Sequence, residues 1–361
     1  MASYRKHLWR RILIGATTSC AHVGRRLGVA LALSWAFAST SSGVTFTVNS
    51  PASDADAMPG DGTCETVTGN GICTLPAAIQ EANAFAGFDA VELPPGTYPG
   101  PISVTEDLAL SAEDPATTMI SDLVSTAGAQ LSISRISLSG GLLVGTELCT
   151  SLVPATVTVD RCIIGGDGVR IICSEAPSSI ANSTITTGSG TGLFLLAASA
   201  TIADTTISGN ETGVHVDAYV AVSFTRVSIR NNVLGIDAVP ALIGSMTLND
   251  CDVVENGTGI HTGTTEGWGL HLCIDHSEIS RNTGHGIAVG GGLEFPPFAS
   301  VLSSVASLEE CQVGVHVTDT RIEGNGGMGI AGATGLNFAE VVRSSITGNS
   351  SDGCSSVGES L

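Results

Sequence analysis

Apolar and polar residues alternate along most of this chain in short runs broken by Gly and Asn, as in ATIADTTISGN from Ala200 and TGVHVDA from Thr212. Alternation at a period of two marks β-strands with one buried face, and the punctuating Gly and Asn mark turns. The runs recur. ISGNETGV begins at Ile207, IRNNVLGI at Ile229, VVENGTGI at Val253, ISRNTGHGI at Ile279, IEGNGGMGI at Ile322 and ITGNSSDG at Ile346. Each places Asn three positions after an apolar residue, with a Gly ahead of the next run. The asparagines are Asn210, Asn232, Asn256, Asn282, Asn325 and Asn349, separated by 22, 24, 26, 43 and 24 residues. Weaker copies without the Asn start at Cys162 and Ile185.

A unit of this length holds two or three short strands and has no room for a ten-residue helix. One unit cannot bury its apolar face alone, so units must stack. The length fits one coil of a single-stranded, right-handed parallel β-helix, an all-β solenoid with rungs about 4.8 Å apart. Roughly eight to ten coils over residues 99–361 make a rod of roughly 40–50 Å. At equivalent turns the six asparagines are expected to form an amide ladder, each tolerating a left-handed backbone, with the following Gly redirecting the chain. Cysteines one coil apart fall within disulfide range. Cys149 with Cys173 and Cys251 with Cys273 are therefore candidate pairs, and Cys64 lies near Cys73. Cys162, Cys311 and Cys354 have no evident partner. The stretch Gly291–Gln312 interrupts the rhythm, and its Leu293, Phe295 and Phe298 mark either a binding insertion or a loop packing on itself.

The amino-terminal part reads differently. Six of the 14 basic residues lie in the first 26 positions, no acid precedes Asp54, and LGVALALSWAFA ends in the A-x-A pattern Ala36-Phe37-Ala38. Residues 1–38 are thus expected to be a secretory signal; a membrane anchor needs about 20 apolar residues. Residues 39–98 are expected to cap the solenoid. They hold a strand from Thr45 to Val48, an acidic Gly-rich loop, and a helix from Pro76 to Ala86 with Thr74 as N-cap and Gly87 at its end. Such a cap covers the open strand edges of the first coil.

Composition narrows the class. With 43% hydrophobic residues and 45 Gly but only 4% aromatics, the chain is neither disordered nor collagenous. After residue 38 it carries 8 Arg and no Lys against 34 acids, a net charge of −26. That repels nucleic acid and anionic lipid and suits a soluble, extracellular, monomeric protein.

The stretch TFTVNS…PGDGTC…GICTL..AIQEANA…PPGTY resembles the CSLREA-type module that begins many secreted β-helix proteins. The repeats that follow resemble the pectin-lyase-like superfamily. Here Pro76-Ala77 stands where the module has Arg-Glu. The resemblance implies fold and an extracellular setting more than chemistry.

Candidate chemistry is sparse. A glycosidase needs paired carboxylates, and a lyase needs Ca²⁺-binding acids with a basic group. Arg230, Asp252 and His285 of the Gly284-His285-Gly286 tripeptide are the candidates for a polysaccharide lyase or hydrolase. His285 aligns with Met328 and Asp352, which points to a variable turn position. Asp54, Asp56 and Asp61 are candidate Ca²⁺ ligands; no other cofactor is indicated. The favoured expectation is a non-catalytic structural or binding role toward glycans or cell-surface components. An adhesin-like surface protein is a further alternative.

Overall fold

The computed structural model describes residues 43–356 apart from 147–148, 150, 175, 219, 240–243, 264–269, 291–313, 333–338 and 352–353. The signal segment, Leu293, Phe295, Phe298, Cys311 and Asp352 lie outside the described residues. Among these residues the chain winds as a parallel β-solenoid with three sheets. The first has 12 strands, from Thr45–Thr47 to Ala339–Val342; the second has 11, from Gly96–Tyr98 to Ser345–Thr347; the third has 11, from Ile102–Val104 to Cys354–Ser356. Each coil visits the sheets in that order.

The repeat sets the register. In the second sheet Ile207, Ile229, Val253, Ile279, Ile322 and Ile346 pair in succession, and all but the last are fully buried. In the third sheet Leu193, Val214, Ile236, Ile260, Ile287 and Ile330 do the same. β-Branched side chains with few rotamers stack on their own kind, so the thin core needs few aromatic rings. Among the described residues Phe224 is the one aromatic among the largest fully buried side chains.

Five of the asparagines are buried and the six are joined end to end. Each Nδ2 donates to the next Oδ1, at 2.9 Å from Asn210 to Asn232, 3.0 Å to Asn256, 3.1 Å to Asn282, 2.9 Å to Asn325 and 2.9 Å to Asn349. The same oxygen accepts the backbone N–H of the preceding Asn, as in Asn232 N to Asn256 Oδ1 at 3.0 Å. Two expected details are corrected. The left-handed residue is the one before the Asn, namely Gly209, Asn231, Glu255, Arg281, Gly324 and Gly348, with φ between 55° and 70°. The glycine after the Asn is fixed by crowding: a Cβ on Gly213 would lie 2.6 Å from Gly235 O and 2.9 Å from Asn232 Nδ2.

At the amino-terminal end, helix α1 spans Leu75–Ala84. Thr74 caps it, its hydroxyl accepting from Ala77 N–H at 3.2 Å. It ends two residues earlier than expected, because Phe85 turns extended and packs against the core. Strand Asp89–Leu93 pairs with Thr45–Thr47 on one side and Leu108–Ala112 on the other, so the cap strand continues the first sheet. No helix among the described residues is long and apolar enough to cross a membrane.

Disulfides join Cys64 to Cys73 and Cys149 to Cys173, with Cα separations of 5.1 and 5.5 Å. The pairing of Cys251 with Cys273 is overturned: Cys251 is a buried free thiol and Cys273 is disulfide-bonded elsewhere. The reason is register. Cys273 sits opposite Thr247 in the first sheet, whereas the counterpart of Cys251 one coil on is Ser277, whose Oγ accepts Cys251 N–H at 3.1 Å. That coil has 26 residues, as the bond spans them. Cys162 and Cys251 stand in a column of buried hydroxyls. Ser183 Oγ accepts Cys162 N–H at 3.1 Å, Thr320 Oγ1 accepts Ser277 N–H at 3.2 Å, and Ser344 Oγ accepts Thr320 N–H at 3.1 Å. Burial pushes the Cys162 thiol up to about 11, so it is held as an unreactive thiol.

Two outcomes are expected. Asn256→Ala strands several buried partners and lowers stability by about 3 kcal/mol, read from urea unfolding, while the same change at half-buried Asn349 costs less. Alkylation followed by mass mapping labels Cys162 and Cys251 only after denaturation.

Candidate functional site

Outward-facing positions stack in columns as strictly as inward ones. On the third sheet one column runs Arg170, Phe194, His215, Asp237, His261, each paired with the next in register. The guanidinium of Arg170 lies 5.6 Å from the Phe194 ring centroid, a cation–π contact. Phe194 stacks on His215 at 5.3 Å with planes 10° apart. His215 Nδ1 is 2.9 Å from one oxygen of Asp237, and His261 Nδ1 is 2.8 Å from the other. One carboxylate therefore holds two imidazoles, one from each neighbouring coil.

Burial pushes the pKa of Asp237 up, but hydrogen bonds from His215 and His261 and their charges outweigh it and hold the carboxyl well below the usual range. The bond to Asp237 raises the pKa of His261, against a smaller opposing effect of burial. Side-chain exposures of 26%, 19% and 41% for His215, Asp237 and His261 leave the group open to a ligand. With Nδ1 tied to the carboxylate, each ring keeps Nε2 for a ligand hydrogen bond or proton transfer.

A second charged surface follows the corner between the first and second sheets. Each coil turns there through a left-handed residue: Arg135, Arg161, Asn182, Asp204, Arg226, Asp250, His276, Asp319 and Arg343, with φ from 46° to 58°. All of them up to Asp319 donate the N–H to the next coil, as from Arg226 to Asn249 O at 3.0 Å. Their side chains pair up the column. Arg226 meets Asp204 twice at 2.7 Å, and Arg343 meets Asp319 at 2.8 and 2.5 Å. Beside them a cleft of about 470 Å³ is lined by Asp250, Asp252, His276, Glu278, Asp319 and Arg321 over the buried hydroxyls of Ser277 and Thr320. Asp275 joins the cleft residues His276 and Asp319 to bring three ligand atoms within 4.8 Å of one another, the one group among the described residues spaced to hold a metal ion. Arg343 already occupies both oxygens of Asp319.

The residues singled out in the sequence do not converge. Arg230 is exposed on the second sheet, opposite Val254. Asp252 lies between Ser228 and Glu278. Burial and the Glu278 carboxylate raise its pKa, opposed by Arg281 and Arg321, and Arg230 is not among these influences. His285 is half-buried at the turn between the second and third sheets, where Nδ1 accepts Met328 N–H at 3.0 Å; it serves the stacking of coils. Asp54, Asp56 and Asp61 do not form a group within mutual ligating distance. Asp56 accepts N–H bonds from Met58 at 2.8 Å and Glu65 at 2.9 Å, and Asp61 from Thr63 at 2.8 Å. Asp54 offers its backbone carbonyl to the Thr74 hydroxyl at 2.5 Å. The buried Glu81 carboxylate closes the loop by accepting from Gly60 and Gly62 at 2.8 and 2.9 Å.

The imidazole–carboxylate group was missed in the sequence although a signal existed. His215, Asp237 and His261 each stand two residues after the turn glycine, in GVH, GID and GIH.

Fold and surface together define a right-handed parallel β-helix. Residues 149–270 match the family described as right handed beta helix region. Among solved structures, the chain is similar to the A-module of Azotobacter vinelandii mannuronan C-5 epimerase AlgE6, at 14% identity over 76% of this chain and 82% of that one, with a TM-score of 0.54. The AlgE4 A-module from the same organism gives 13% identity over 76% and 91%, with a TM-score of 0.41. The first likeness is one of fold. No curated protein matches the chain in sequence.

Stability should record the shared carboxylate. Because His261 has a raised pKa in the folded state, its bond to Asp237 contributes fully below about pH 6.5, the unfolded value, and the contribution is lost as pH rises through the folded pKa. The deficit of Asp237→Asn relative to the parent, measured by urea midpoint, is therefore expected to be larger at about pH 6 than at about pH 8.

Proposed function

We propose that this is an exported β-helix protein that binds a glycan along the column Arg170, Phe194, His215, Asp237 and His261. The observation that carries the reading is the column itself: an aromatic face, a guanidinium and an imidazole–carboxylate–imidazole group stacked on consecutive rungs of a rigid sheet. Sugars offer both C–H faces and hydroxyl rims, and such a mixture of ring and fixed polar groups matches them. Rungs about 4.8 Å apart come close to the length of one sugar residue, so a chain along the rod meets one side chain per unit. The fold likeness to a protein titled as a mannuronan epimerase agrees with a polysaccharide ligand.

Export through residues 1–38 and a CSLREA-type amino-terminal cap complete the proposal, with the rod acting as a monomer. Two disulfides suit an oxidising compartment. A second reading, proton transfer on the bound glycan, draws on the two imidazoles oriented by Asp237. It requires new reducing ends, unsaturated sugars or isotope exchange on incubation, all absent with His215→Gln.

Affinity electrophoresis of the protein in gels containing neutral or acidic polysaccharides tests the binding reading. Phe194→Ala is expected to weaken retention about tenfold, the scale of one lost ring contact, with the unfolding midpoint little changed. Equal retention of Phe194→Ala and the parent in every gel removes this face as the site.

A further inference from the structure

We infer that the column on the third sheet is a proton-controlled grip for anionic groups: it takes up carboxylate-bearing or sulfate-bearing sugars when His215 and His261 are protonated and releases them when they are neutral. The inference rests on the glycan reading and adds its control.

Five arginines elsewhere on the rod are matched by acids. Arg161 meets Asp160, Arg226 meets Asp204, Arg281 and Arg321 share Glu278, and Arg343 meets Asp319. On the third sheet the single carboxylate of Asp237 faces two imidazoles. Both of its oxygens are engaged, one by each ring. With neutral rings, the Asp237 carboxylate is the charge at the centre of this group. With both rings protonated the one carboxylate of Asp237 meets two positive charges, on a chain whose 34 acids outnumber its 14 basic residues. An anionic ligand supplies the missing countercharge through charge-assisted hydrogen bonds to Nε2.

The surroundings do not cancel this switch. The strand of His215 adds Asp217, which keeps its charge but binds Ala218 N–H at 2.7 Å and is absent from the influences on Asp237 and His261, and exposed Glu211 stands just before that strand. The strand beyond His261 presents Ala288 in register, and the strand before His215 presents Phe194, neither of them charged. Asp237 is the charged group that acts on His261, and it favours the protonated ring. Asp237 itself is held well below the usual carboxylate range and stays ionised near neutral pH.

Three polymers at two acidities test the inference: polygalacturonate, dextran sulfate and unmodified dextran, at about pH 5.5 and about pH 8, either side of the imidazole range. Binding of at least one charged polymer is expected to tighten about tenfold at the lower pH, the scale of one charge-assisted bond, while dextran shows no such change. Preference between polygalacturonate and dextran sulfate identifies carboxylate or sulfate as the group held. In the double variant His215→Gln, His261→Gln the pH dependence disappears. Asp237→Asn, which removes the competing internal anion, is expected to bind the charged polymer more tightly than the parent at the lower pH. Retention that is the same at both pH values, or a pH dependence that survives in the double variant, overturns the proton control and leaves the glycan reading standing. Failure to retain any polymer at either pH removes the glycan reading itself. Circular dichroism and unfolding midpoints of each variant separate lost binding from lost fold.

Discussion

Everything in this structure depends on hydrogen bonding between one coil and the next in fixed register. A single coil has no core and no paired strand edges; it becomes stable only when its neighbours satisfy its backbone. Each residue consequently lives about 4.8 Å from its counterpart above and below. A residue type persists inside the rod only if it packs well against copies of itself. Isoleucine stacks on isoleucine in the second sheet. The asparagines go further, because each amide both donates to and accepts from its neighbours and also reaches a backbone carbonyl, as Asn256 Nδ2 does to Ile229 O at 3.0 Å. A buried amide without those partners costs about 1–3 kcal/mol per unsatisfied group, so the column is self-enforcing. It also dictates residues it does not contain. The turn glycines are required because the amides crowd the space a Cβ would take.

The same register makes the outer surface a set of columns, and there the requirement of self-similarity is relaxed. At the corner between the first and second sheets the backbone is left-handed in every coil from Arg135 to Arg343, a conformation that costs a non-glycine residue roughly 1–2 kcal/mol. The corner N–H repeats its bond to the next coil, which offsets that cost. Side chains there are free to vary, and they have settled into Asp and Arg that neutralise one another. On the third sheet the column changes identity at every rung and produces a cation, a ring, an imidazole, a carboxylate and a second imidazole in line.

This division explains what could be read from the amino-acid sequence. Columns that demand the same residue write a period into the chain, so the coil, the Asn ladder and the cysteines Cys149 and Cys173 were visible at fixed spacing. The rungs between residues 89 and 145 carry no Asn and are recognised only through strand pairing. Spacing misled for Cys251 and Cys273, because coil length changes locally and 22 residues is not a whole coil at that place. Columns of unlike residues leave no period, and so His215, Asp237 and His261 stayed hidden while Gly284-His285-Gly286 attracted attention for its local pattern. Position after the turn glycine was the usable signal, and it is a signal of register rather than of residue type.

The contrast between the two outer columns also bears on which of them is suited to a ligand. Along the corner each carboxylate has a guanidinium of its own, and a ligand entering the cleft beside Asp319 and Glu278 must displace Arg343 or Arg321 from bonds already made. On the third sheet the two rings bind Asp237 through Nδ1 alone. Asp237 orients both rings through these bonds, and both side chains stay partly exposed, so the arrangement is fixed where it touches the protein and accessible to a partner. Because side chains alternate across a strand, these residues vary without disturbing Val214, Ile236 and Ile260, which face inward beside them and remain fully buried. A solenoid can therefore change an entire recognition surface one rung at a time while its inner columns hold the register.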